Sequence, residues 1–547
     1  MKTRLLLSIF ILLFCSSNLF AEKVIGVTAF NNLSKRNNLN WLKIGIADSI
    51  SYKLRNIKDY IVIDRTNVDK VLNEIRLGQS GFINEKLAKQ AGKALNADIL
   101  VVGNFQVYGT NVRISAKLVD VESHKIVKQV QATGKMDEIF DLQDKIAINI
   151  IKDQNIDITD ELRNRMRRNY TKNLSAYEYF SKGQKFYYQT NYSKAIKFFK
   201  KATTIDRRYS LAYAGLGKAY ASLYWKVKNY SNKKHPEYLQ QSYNYSTKAL
   251  AYSPNLDEAH LSLAKYYQNI DKKLEPEKWK KCEDKTKEVL RINPNNGEAY
   301  FLMSRIYGYN DRKEEMYLKK AIAKNNFIAD AHNNLGIIYT DQGKYEKAKA
   351  AYKQAIKVDS EYKTAYMNIG VVYDKEKQHR KALEMYKIVV EKYPNYPLGL
   401  VNLGIGYRRL KDFDKALIYF KKSVQVKPDY AFGWGEVAYI YLQKKEYRRA
   451  IRNYKTSLKY DYKNKYSLAN LGHTYTLINK YKNAVYYLKK CSRYHKEYAW
   501  PAQKLGWIYR YKLKDSREAL RWYQEASRRD PSNSSYRNAV KQLSDTY

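Results

Sequence analysis

Few residues of this chain stand in arrangements that could do chemistry. Asp64-Arg65 follows the apolar run Tyr60 to Ile63 and opens a helical pattern. A carboxylate beside a guanidinium could form a catalytic pair, but an Asp at a strand-to-helix junction more often caps the helix or makes a local ion pair. The seven His are scattered, and no pair has metal-ligand spacing within one segment. His124 falls in a predicted turn, while His260 and His332 occupy the same large-residue position early in a helix and read as packing groups. Three Cys are too few for a disulfide scaffold, and Cys282 and Cys491 fall at small core positions, where a thiol behaves as a small apolar group. No G-x-G-x-x-G follows the strand-like Val24–Val27, and no phosphate loop occurs. Without a nucleophile, a base and an orienter, no enzyme, metal or cofactor is expected.

A row of amides carries more information. Asn334, Asn368, Asn402 and Asn470 recur at multiples of 34 residues, with Glu436 breaking the row. An amide donates and accepts at once, which suits an extended backbone. Around the row lie Met367, Val371, Leu398, Val401, Ile405, Phe432, Tyr439, Tyr466 and Trp507. Together they predict a groove for an extended, partly apolar peptide; local packing of the amides fits the same spacing.

The elements that place this row repeat. Gly336, Gly370, Gly404, Ala438, Gly472 and Gly506 are spaced by 34, and so are Tyr339, Tyr373, Tyr407, Tyr441, Tyr475 and Tyr509. Ala348, Ala382, Ala416, Ala450 and Ala484 form a third ladder. Each unit reads as two antiparallel helices, A and B: the small residue lets them approach and the Tyr fills the gap to the next unit. These anchors resemble the tetratricopeptide (TPR) repeat. Irregular copies upstream give ten repeats, beginning at 176, 210, 257, 297, 329, 363, 397, 431, 465 and 499, with a polar capping helix over 532–547. The resemblance implies an all-α superhelix whose concave face is lined by helix A. There the asparagine row is similar to that of superhelical TPR peptide binders such as O-GlcNAc transferase.

Ahead of the array, residues 22–155 mix strands and helices, as in a small α/β (α+β) domain. Helical spacing covers Asn40–Leu54, Thr66–Leu77, Glu85–Leu95 and Phe140–Ile151. Strand patterns cover Val24–Val27, Tyr60–Ile63, Ile99–Val107, Val112–Val121 and Lys125–Ala132. Residues 156–175 read as a helical linker carrying Arg163, Arg165, Arg167 and Arg168. The stretch Asn40–Ser49, then Val62–Thr66, Val71-Leu72, Gly78-Gln79-Ser80-Gly81, Asn96–Gly103 and Arg113–Val121, resembles the domain shared by CsgG, FlgO and the TolB amino-terminal domain. That resemblance implies an envelope assembly or regulatory module. The chain has no room for the membrane hairpins of CsgG, which argues against a secretion pore.

Residues 1–21 combine Lys2 and Arg4, the ten-residue apolar run Leu5–Phe14 and Ala21 before Glu22, the pattern of a cleaved secretory signal peptide. The run is too short to span a bilayer, which takes about 20 apolar residues. Bulky Phe14 before Cys15 argues against lipidation. The expected location is therefore the periplasm or the outer membrane. Lys+Arg exceed Asp+Glu by 100 − 54 = 46. Residues 22–155 carry 20 basic and 15 acidic residues and residues 156–547 carry 78 and 39, so the excess lies in the repeats. Lys197, Lys200, Lys201, Lys421, Lys422, Lys489 and Lys490 are on predicted B helices or beside them. Such runs form a solvated face or an adhesive one for lipid head groups or a wall polymer. Export excludes nucleic acid as the expected partner. The leading expectation is an envelope adaptor holding a protein or peptide in outer-membrane or secretion assembly; the alternative is a structural protein docked on an anionic envelope surface.

Overall fold

The computed structural model describes residues 22–544 apart from 35, 76–84, 153–155, 157, 168–169, 232–234, 272 and 309–311. The expected leader with Cys15 and its cut after Ala21, the block Gly78–Gly81, and Arg168 lie outside the described residues. The chain divides into two compact units, Met1–Leu335 and Gly336–Tyr547.

The first unit opens on one mixed sheet. Its strands are β1 (Lys23–Val27), β2 (Asn31–Asn32), β3 (Tyr60–Val62), β4 (Ile99–Tyr108), β5 (Asn111–Asp120) and β6 (Ile126–Lys135). The order is β3-β1-β4-β5-β6, with β2 beside β4. β1 runs parallel to β3 and β4, and β4, β5 and β6 form an antiparallel meander. Gly109 takes φ +57° in the β4–β5 turn, a conformation that costs a residue with a side chain. Four helices accompany the sheet: α1 (Leu42–Leu54), α2 (Arg65–Glu74), α3 (Glu85–Leu95) and α4 (Ile139–Ile151). Asp64 caps α2, its carboxylate accepting from the Thr66 amide at 2.8 Å.

α5 (Asp160–Met166) buries Leu162 and Met166 in the core. Helix pairs follow: α6 (Leu174–Tyr188) and α7 (Tyr192–Ile205), α8 (Ser210–Ser231) and α9 (Pro236–Tyr252), α10 (Asp257–Asn269) and α11 (Lys278–Ile292), α12 (Gly297–Tyr307) and α13 (Arg312–Lys324). One hydrophobic core runs from Ile25 and Ile46 of the sheet domain through Tyr177, Phe180 and Phe199 to Tyr213 and Ala259 of the helix pairs. Gly45 marks the closest approach, because a Cβ there would lie 2.8 Å from Ser181 Oγ of α6. Trp41 meets Tyr177 edge-on at 5.5 Å, and Gln143 donates to the Tyr177 hydroxyl at 3.1 Å.

α14 (Ala329–Asp341) carries the boundary between the units. The second unit continues with α15 (Tyr345–Val358), α16 (Lys363–Lys375), α17 (His379–Lys392), α18 (Pro397–Arg409), α19 (Phe413–Val426), α20 (Ala431–Gln443) and α21 (Tyr447–Tyr460). Then come α22 (Lys465–Leu477), α23 (Tyr481–Tyr494), α24 (Trp500–Ile508), α25 (Ser516–Arg529) and α26 (Ser534–Ser544). A π-turn over Tyr509–Leu513 extends α24. The ladders explain the pairing. Added Cβ atoms at Gly336, Gly370 and Gly404 would sit 2.4–2.5 Å from the rings of Tyr352, Tyr386 and Phe420 on the partner helix. The ladder tyrosines stack on helix B, Tyr407 on Tyr419 at 5.5 Å and Tyr475 on Tyr487 at 5.7 Å. Lysines cover them: Lys415 lies over Tyr407 and Lys421 over Tyr441. Part of the positive charge is thus engaged in ring contacts.

Candidate functional site

Ranked by position in the repeat, the helix-A residues of the second unit fall into columns. The fifth position turns into the neighbouring helix. Met367 and Val401 are 3% and 0% exposed there, so they do not line a groove, contrary to expectation. The reason is angular: adjacent helical residues differ by about 100° in direction, and the fifth points to the seam while the sixth points away. The open columns are the second, sixth and ninth. The second carries Leu398, Phe432 and Tyr466, all exposed, Tyr466 at 61%. The ninth carries exposed Val371, then half-buried Ile405, Tyr439, His473 and Trp507.

The sixth column holds the amides. Asn368, Asn402 and Asn470 are half-buried, and Asn402 donates to Met367 Sδ at 3.5 Å, a weak acceptor. Glu436, in the same column, lies 3.4 Å from Arg408 Nε, longer than a charge-assisted hydrogen bond, and neither atom has a hydrogen-bond partner among the described residues. Burial pushes the Glu436 carboxyl up and Arg408 pulls it down. Arg408 also lies 5.1 Å over the Tyr439 ring. His473 Nδ1 is buried without a partner among the described residues, and burial lowers its pKa. At the end of the column Lys504 is likewise lowered by burial. In the first unit, Asn334 is buried, accepts from Asn333 Nδ2 at 3.4 Å, and its own Nδ2 has no hydrogen-bond partner among the described residues.

Other candidates resolve as architecture. Arg65 is buried, donates to the Val27 carbonyl at 2.9 Å and pairs with Asp69 at 2.6 Å, while Asp64 is the cap described above. His260 and His332 donate to the carbonyls of Pro254 and Asn326, six residues upstream, and Trp434 makes the same bond to Pro428. Burial drives both thiols, Cys282 and Cys491, up to about 12, so they are inert at neutral pH. No metal-binding cluster occurs among the described residues, and no helix there is long and apolar enough to cross a membrane.

Sequence patterning missed where the charges of the first unit go. The ninth position holds Lys218 and Lys265 in the repeats at 210 and 257, and the second holds Glu258 and Glu298 in those at 257 and 297. These residues face the sheet domain. Arg55 pairs with Glu258 at 3.4 Å, and Lys218 approaches Asp64 at 3.9 Å. Asn295 donates to the carbonyls of Lys58 and Tyr60 at 2.8 and 3.0 Å. The signal was present as charge in columns that are apolar further along.

The architecture is that of a helical-repeat protein preceded by a mixed-sheet domain. Family models match a segment of each part. Those described as tetratricopeptide repeat match residues 329–362, 364–396 and 397–430, and that described as curli production assembly/transport component CsgG matches residues 16–131. The protein is a TPR protein with an N-terminal CsgG-like domain. No curated protein matches the chain. Among solved structures, the chain is similar to the Cut9–Hcn1 hetero-tetramer of the APC/C, at 17% identity over 74% of this chain and 82% of that one, TM-score 0.39. It is similar to Pseudomonas aeruginosa pilF at 18% identity over 40% and 97%, TM-score 0.35. It is also similar to YrrB, a TPR protein with an unusual peptide-binding site, at 21% identity over 32% and 91%, TM-score 0.26.

Proposed function

We propose that this protein is an exported, non-enzymatic scaffold of the cell envelope that holds an extended segment of a partner protein along the helix-A face of its second unit. One observation carries the reading. The sixth column presents Asn368, Asn402, Glu436 and Asn470 between exposed apolar columns, and Glu436, Arg408 and His473 keep buried polar atoms without hydrogen-bond partners among the described residues. A buried polar group left unmade costs about 1–3 kcal/mol, which a peptide backbone laid along the column would relieve. The leader pattern and the CsgG-like domain support export and an envelope setting in outer-membrane or secretion assembly. The test is capture from an envelope extract at high salt, wild type beside Asn368→Ala/Asn402→Ala/Asn470→Ala. A partner retained by wild type and lost from the variant is the expected result; equal retention would remove the amide row from recognition.

A second reading follows from charge. Residues 156–547 carry 78 basic against 39 acidic residues, and Lys197, Lys200, Lys421 and Lys422 are exposed on helix B or at its edge. Docking on an anionic lipid or wall polymer through this face would weaken steeply with salt, because exposed charge pairing is screened within about 8 Å at physiological ionic strength. Retention of the protein on anionic vesicles at high salt would oppose it.

A further inference from the structure

A cavity of about 380 Å³ lies inside the first unit, between β3 with the start of α2 and the A helices α8, α10 and α12. Its wall carries four cations, Arg55, Lys218, Lys265 and Lys324, and four carboxylates, Asp64, Asp257, Glu258 and Glu298. Two of these are spoken for elsewhere: Lys324 pairs with Glu22, and Asp257 accepts from Asn293 at 3.0 Å; Asp64 also caps α2 through Oδ1, leaving Oδ2 toward Arg55 and Lys218. The remaining six keep 17% to 43% of their side-chain surface exposed although all line the cavity, so part of that surface is the cavity wall. Their mutual contacts are loose where they face the space. Asp64 sits 3.9 Å from both Arg55 and Lys218, and Arg55 sits 3.4 Å from Glu258. Arg55 donates a long hydrogen bond to Glu258, while the two 3.9 Å separations give Coulomb attraction alone, since charge-assisted hydrogen bonds close to about 2.7–2.9 Å. Only Lys265 and Glu298 close to 2.5 Å. Beside the cavity, Asn295 ties the repeat to the carbonyls of Lys58 and Tyr60. Ile61, Leu261, Trp225 and Phe327 supply an apolar part of the wall.

We propose that this cavity binds a small zwitterion of the α-amino-acid type, free or as a short peptide, with an apolar side chain. Its carboxylate lies between Arg55 and Lys218, and its ammonium between Glu258 and Glu298. The balance of charge selects this class. A lone anion or cation gains from one half of the wall and is repelled by the other, whereas a molecule with both charges gains from each. The size is in the usual range for small-molecule sites, about 300–1,000 Å³.

The full-length mature chain would be titrated calorimetrically with L-leucine and with leucyl-leucine, which separates a free amino acid from a peptide. The controls are 4-methylpentanoate, which lacks the ammonium, and 3-methylbutylamine, which lacks the carboxylate. Saturable binding of leucine or its dipeptide, with neither control binding, is expected. Lys218→Met and Glu298→Gln should each weaken it roughly tenfold or more, with circular dichroism confirming the fold. Ala221→Leu, which fills the cavity without touching a charge, must also remove binding. No saturable heat with either zwitterion, or equal binding of a single-charge control, would overturn the proposal. So would undiminished binding by the filled variant.

Discussion

The helix-A face is built twice in this chain and put to different uses. In the first unit its second and ninth positions include the charged Glu258, Glu298, Lys218 and Lys265, and the CsgG-like domain meets Glu258 and Lys218 through the pairs Arg55–Glu258 and Asp64–Lys218. In the second unit the same positions are mostly apolar, with Leu398, Phe432, Tyr466 and Val371 exposed and Ile405, Tyr439 and Trp507 half-buried. One scaffold therefore makes a permanent, polar, intramolecular interface and an open, apolar face. The backbone pairing is shared, so side chains at a few columns decide which face is filled from within and which is left for a partner.

The most severe way to break this contrast is to strike the joint of the first unit. Lys53 is buried, pairs with Asp144 and donates to the Met166 carbonyl at 2.8 Å, linking α1, α4 and α5. Lys53→Met strands a buried carboxylate and should lower the stability of the first unit by about 3–5 kcal/mol. Denaturant unfolding should show an earlier first transition with the second unmoved; a uniform shift would mean the units are not energetically distinct.

A milder change addresses the second unit. A methyl at Gly370 would lie 2.4 Å from the Tyr386 ring. Gly370→Ala should cost about 1–2 kcal/mol, overpacking outweighing the better helix propensity of Ala. Here only the second transition should move, and an unchanged midpoint would show that the small-residue ladder is not under close-packing constraint.

The smallest effect sharpens the comparison through pH. Asp48 lies where α1 faces α6, its carboxyl raised to about 7 by burial and, less, by the repulsion of Asp69, against the opposing pull of Arg65, the hydroxyl of Tyr188 and Arg55. Its folded value stands above its unfolded one. The unfolded chain therefore ionises first, and stability declines as pH rises from about 4 to about 7, then levels off. Asp48→Asn should stabilise the first unit by about 1–2 kcal/mol at pH 7.5 and leave it unchanged at pH 4. Thermal melts at both pH values check this, and equal shifts at both would contradict the assignment.

The sequence made the repeats legible because their packing demands a small residue against a ring at fixed spacing, and Gly370 against Tyr386 shows how little room the ring leaves. The strands and helices of residues 22–151 were legible from alternation and helical spacing. The shared core was not. Periodicity tells that Ile46 and Ile50 are covered, but not that their core continues through Tyr177 and Phe180 of a repeat. The amides of the candidate site were readable as a row, yet Met367 and Val401 were misplaced because spacing alone does not resolve the fifth position from the sixth. Asp64 as a cap and His260 and His332 as packing groups followed from their positions, since a residue at a junction or at a repeated large-residue position serves the backbone first.

The turns between paired helices carry a further consequence. Lys377, Lys411, Lys445 and Asn479 hold φ between 58° and 62°, one per repeat, and Lys514 follows after the one-residue stretch introduced by the π-turn. A side chain in that backbone state costs roughly 1–2 kcal/mol relative to glycine. Because each repeat touches only its neighbours, these costs are local and nearly independent. The array thus contains a series of single-residue adjustments, each able to stiffen one hairpin without retuning the others. That modular adjustability lets such a chain drift in rigidity along its length while its helical pairing stays the same.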